Sequence, residues 1–79
     1  MEFTKHFRNM LEERSIREEW VDKCVNEPEK IEDHEDNTRH FLRRIKEHEN
    51  QWLRVVVNIQ VQPHKAVTAF FDRRLRRTQ

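Results

Sequence analysis

The 79-residue sequence has no glycine, no tyrosine, a single cysteine and two prolines. Without glycine there is no phosphate-cradling loop of the Walker or dinucleotide type, because those loops need backbone without a Cβ at the phosphate. Turns have to close on Asn, Asp and Pro instead. The lone Cys24 excludes an intramolecular disulfide, and its place on an apolar helical stripe reads as a small core residue. No Ser-His-Asp pattern is present. No run approaches the ~20 apolar residues of a membrane span, and no apolar segment of the kind that makes a signal peptide follows the start. The expectation is a cytoplasmic protein with no membrane association. So short a chain is one domain, 1–79, with a thin core. Five Phe and two Trp supply its large anchors.

What is abundant is charge, and it is divided along the chain. Residues 1–37 hold six Lys/Arg against twelve Asp/Glu, whereas residues 38–79 hold ten against three, so the net +1 hides −6 and +7. The basic half suits a phosphate-bearing partner, and the acidic half suits a basic partner or a second copy. The plain alternative is two solvated faces.

Phe3, Phe7, Met10, Leu11 and Arg14 share one helical face, with Thr4 as cap, which predicts a helix over about 4–14. Ser15 with Glu18 reads as a capping box opening a second helix, whose stripe is Ile16, Trp20, Val21, Cys24 and Val25. Asn26 is expected to close it in the left-handed region before Pro28. Residues 30–33 read as a short edge strand, 34–37 as a loop and 38–46 as a mixed strand. Leu53, Val55, Val57, Ile59 and Val61 alternate with Trp52, Arg54, Val56, Asn58 and Gln60, the period of a half-buried strand. Residues 65–71 form a last strand, with Val67, Ala69 and Phe71 facing the core. The order predicts an α+β fold: two N-terminal helices on one face of a three- or four-stranded antiparallel sheet.

Two segments, His6 to Ile16 (HFRNMLEERSI) and Leu53 to Leu75, with LRVVV at its start and VTAFFDRRL at its close, resemble a known family. It is a small bacterial and archaeal family of domains of unknown function grouped with the BrnT- and RelE-type toxins. His6, Glu13, Arg14, Ile16, Arg54, Asp72, Arg73 and Arg74 match its pattern. Met10 stands where that pattern usually has Arg, and Ser15 where it usually has Gly. The resemblance implies a RelE/BrnT-like fold and a toxin-like, RNA-directed function, with an antitoxin-like protein or a homodimer as partner.

Metal-independent RNA cleavage needs a base, an acid and cations for the phosphorane charge. Histidine and arginine suit these roles. His6, His40, Arg54 and Arg73 are the candidate catalytic set, and Arg14, Arg43, Arg44, Arg74, Arg76 and Arg77 the candidate RNA-binding set. His40 and Arg44, four apart on one strand, share a face that Arg54 joins from the next. No metal or other cofactor is expected, because His34-Glu35-Asp36 and His48-Glu49 lack further ligands at defined spacing. The rival reading is a non-catalytic interaction module, which the Met10 replacement favours.

Overall fold

A computed structural model describes residues 1–75; Arg76 and Arg77 lie outside the described residues. Two helices, α1 (Lys5–Glu13) and α2 (Glu18–Asn26), precede four strands, β1 (Lys30–Asp33), β2 (Thr38–Ile45), β3 (Gln51–Asn58) and β4 (Lys65–Phe71), with a 3₁₀ turn at Lys46–His48. The strands form one antiparallel meander in chain order. This is the expected α+β architecture. No helix among the described residues is long and apolar enough to cross a membrane.

α1 begins where Thr4 accepts the Phe7 amide on its hydroxyl, at 3.1 Å. Its end differs from expectation. Ser15 does not open α2; it takes φ 57° and closes α1. The Ile16 amide bonds Leu11 O at 2.9 Å and the Ser15 amide bonds Glu12 O at 3.1 Å, the paired bonds of a Schellman ending. Buried Ile16 then seals the turn. α2 starts after Arg17 with no side-chain cap, Glu18 and Glu19 instead complementing its dipole. Asn26 is its last helical residue, and Glu27 ends it with φ −134°, so no left-handed closure occurs there.

α2 packs over β2 and β3, and α1 over β4. Phe7, Leu11, Ile16, Trp20, Val21 and Cys24 meet Leu53, Val55, Val57, Ala66 and Ala69 between the layers. Along β3 the expected face meets the helices, but Trp52, Arg54 and Val56 on the other face are buried as well, so the strand is not half-buried; β4 departs further. Val56 pairs with Thr68 and Val57 with Ala66, so a bulge skips Val67. Ala66 therefore faces the core and Val67, expected inside, is 49% exposed. One extra residue on one strand reverses the alternation beyond it. Cys24 is buried, its Sγ donating to Phe41 O, and burial pushes its thiol up to about 12.

The two halves of the charge division meet in ion pairs. Arg39 pairs with Asp33, Arg44 with Glu29 and Arg54 with Glu32, each joining the basic half to the acidic half. The register that sets β1 beside β2 makes this neutralisation, since it places Asp33 opposite Arg39.

Candidate functional site on the open sheet face

Leu53, Val55 and Val57 point to the helices, so Arg54 projects from the other face of β3. That face is open in the sense that no helix of the described residues packs on it, although Leu42, Trp52 and Val56 are buried there. Its register neighbours there are Leu42 of β2 and Phe70 of β4. The residue is only 6% exposed, and a charge so placed needs partners. Nε donates to Asp72 Oδ2 at 2.8 Å. Nη1 lies 2.9 Å from Glu32 Oε1 and 2.9 Å from His40 Nδ1.

That last distance fixes a protonation state. A guanidinium only donates, so His40 Nδ1 accepts and the ring is neutral with its hydrogen on Nε2. Nε2 lies 3.2 Å from Thr38 Oγ1, whose own hydrogen goes to Asp36 Oδ1. Burial, then the neighbouring His34 and Arg54, hold the His40 pKa below its ordinary value. The His34 ring stacks on His40 at 3.7 Å and 12°, with Nε2 3.1 Å from Glu32 Oε1. Glu32 is kept ionised first by Arg54 and then by His34.

Asp72 anchors the other side. Arg74 gives its carboxylate two side-chain bonds, Nε to Oδ1 at 3.0 Å and Nη2 to Oδ2 at 2.9 Å, plus its backbone amide at 3.0 Å. These bonds, and then Arg54, hold Asp72 far below the usual carboxylate range. Arg74 itself is 78% exposed. The result is a chain of groups, Asp36–Thr38–His40–Arg54–Asp72–Arg74, with Glu32 and His34 beside it. Glu32, His34 and His40 also each offer one metal-ligand atom within 4.8 Å of the others. Arg54 already bonds two of the three, and the near-parallel rings do not converge their lone pairs, so a cation there would have to displace the guanidinium.

A family described as domain of unknown function (DUF4258) matches residues 3–71. The chain belongs to that family. No curated protein matches it, and no solved structure does.

Of the residues singled out in this DUF4258 domain, His40 and Arg54 meet directly. Arg74 joins them through Asp72. His6 does not: it is exposed on α1, in the helical layer on the far side of the sheet from the Arg54 side chain. Arg44 shares the open face, bonded to Glu29 and 5.4 Å from the Trp52 ring. Arg43 sits on the helix-side face, donating to Glu27 O. Arg14 reaches the edge strand, its Nη1 donating to Ala69 O at 2.8 Å and to Thr68 Oγ1 at 3.1 Å. Arg73 is exposed beyond β4. Sequence reasoning passed over Glu32, His34 and Asp72 as site residues. One signal was present for Asp72: Arg54 interrupts an apolar strand, and Asp72 is the one carboxylate of residues 38–79 outside the 47–49 turn.

Proposed function

We propose that this domain is an RNA-directed, toxin-like protein of the RelE/BrnT kind, and that its open sheet face is a metal-independent ribonuclease site. The observation that carries the reading is the stacked His34–His40 pair lying between a carboxylate and a fixed guanidinium. Glu32 receives the His34 Nε2 hydrogen, which leaves Nδ1 as a base for a ribose 2′-hydroxyl. The 2′-oxygen attacks phosphorus, and Arg74, whose side chain is 78% exposed, meets the charge on the phosphorane oxygens, while buried Arg54 holds Glu32 and His40 in place. The departing 5′-oxygen takes its proton from the imidazolium or from water. His40, held neutral, supports the His34 ring without adding a competing charge.

The test is cleavage of single-stranded RNA in the presence of a chelator by wild type, His34→Ala and Arg74→Ala. Loss of a general acid–base group is expected to slow cleavage about 10²–10⁴-fold in His34→Ala. Binding should weaken steeply with added salt. Equal rates in wild type and His34→Ala, or no cleavage above buffer, would overturn the assignment. The second reading, a non-catalytic module that dimerises or pairs with an antitoxin-like protein, is favoured by one feature. β1 is an edge strand and carries Ile31, 54% exposed, which suits strand addition by a partner.

A further inference from the structure

Most arginines of the described residues are neutralised by a carboxylate: Arg8, Arg17, Arg39, Arg44, Arg54 and Arg74 all have one within ion-pair distance. Arg14, Arg43 and Arg73 have none among the described residues. Two of these three converge. Arg14, from the end of α1, and Arg73, from just beyond β4, line one cleft of about 330 Å³ whose other walls include His48, Gln51, Phe70 and Phe71. Among the described residues, no carboxylate lines it.

The cleft combines two features that a nucleotide requires. One is unneutralised positive charge. Arg14 commits Nη1 to the edge of β4, and the Nε and Nη2 hydrogens remain, a fork matched to phosphate oxygens. The other is an aromatic wall. His48 lies flat on Phe71 at 4.2 Å and 17°, and Trp20 meets Phe71 edge-on at 6.1 Å. These contacts hold the wall in place, and a planar base stacks on such a surface whatever its identity. Gln51 adds an amide able to meet a base edge. The volume lies at the low end of the range for small-molecule sites, the size of a single nucleotide unit.

We propose that this cleft binds one nucleoside monophosphate unit, phosphate on Arg14 and Arg73 and base against the His48–Phe71 wall. The inference deepens the RNA-directed reading by seating one nucleotide of the strand, and it rests on that reading only for the chain to which the nucleotide belongs. A free mononucleotide and a nucleotide within RNA offer the same chemistry.

The test is an amide-shift titration of the full chain with AMP, with UMP, with ribose 5-phosphate, and with a short oligouridylate. Both mononucleotides are expected to move the amides of Gln51, Phe70 and Phe71, and ribose 5-phosphate to bind roughly tenfold or more weakly for want of a base to stack. Arg73→Glu, on an exposed side chain, should abolish the response while the remaining spectrum is retained, and Arg73→Lys should restore part of it. Tighter binding of the oligouridylate at the same amides identifies RNA as the source, and equal binding identifies the free nucleotide. Absence of these shifts with every ligand, or an unchanged response in Arg73→Glu, overturns the site. Mononucleotide binding by a protein that cleaves no RNA would leave the cleft standing and remove only the ribonuclease.

Discussion

Replacing Arg54 with Met keeps much of the side-chain length and removes the positive charge that ties β1, β2 and the segment after β4 together. Breaking a buried ion pair by deleting one partner costs about 3–5 kcal/mol, because the other charge stays buried. Here the loss is smaller. Asp72, 4% exposed, keeps the fork and the backbone amide of Arg74, while the Glu32 side chain is 43% exposed and can turn to water. His40 Nδ1 loses its donor, at about 1 kcal/mol for an unmet acceptor. The expected total is about 2–4 kcal/mol. For a domain of this size that lowers Tm by roughly 10–25 °C, followed by far-UV circular dichroism. Arg54→Lys should fall between, retaining charge without the fork that reaches Asp72 and Glu32 together. A double-mutant cycle with Asp72→Asn should return a coupling of about 1 kcal/mol or more. An Arg54→Met variant melting within about 3 °C of wild type would refute the network as a stabilising element.

Two further outcomes follow from the same geometry. Ser15→Gly should stabilise by about 0.5–1 kcal/mol, because Ser15 holds φ 57° at the close of α1 and a side chain there costs energy that glycine avoids; a urea midpoint that fails to rise counts against the Schellman ending. The folded pKa of His40 lies below its unfolded value, so the folded state binds fewer protons, and His40 contributes an acid-side loss of stability that starts as pH falls below about 6.5 and runs down through the lowered folded pKa. His40→Gln should flatten the pH dependence of the urea midpoint in that window, while the carboxylate-driven loss at lower pH persists; an unchanged slope would remove the neutral-ring assignment.

The parts of the fold legible in the sequence are those set by local chemistry. Thr4 before an apolar 3.6 period marks the start of α1, and the Leu53–Val55–Val57 alternation sets which face of β3 meets the helices. Ser15 was ambiguous because a serine serves equally at the end of one helix and the start of the next. Packing decided it, since Ile16 is buried as the closing residue. Val67 illustrates a different limit. A bulge is a property of two strands, and nothing within residues 65–71 announces that Ala66 pairs with Val57. The same holds for the site. Glu32 meets Arg54 because β1 pairs with β2 with Glu32 opposite His40, a register that no residue of β1 specifies alone.

Charge along the chain is therefore a poor guide to charge in space. The +7 half looked like a phosphate-binding surface, yet its arginines at 39, 44 and 54 are consumed by acids contributed from the −6 half, and the one at 74 by Asp72. Once these pairs are made, capacity for an anion depends on position relative to carboxylates and not on the number of basic residues. Arg14 belongs to the acidic half and Arg73 to the basic half, and it is the fold that sets them around one cleft that no carboxylate of the described residues lines. The open face and the cleft then differ in kind. The first is balanced, hydrogen-bonded and suited to moving a proton, whereas the second carries uncompensated charge beside an aromatic wall and is suited to holding a phosphate and a base. On the RNA-directed reading proposed above, Phe70 links the two sites: it lines the cleft and stands beside Arg54 on the open face.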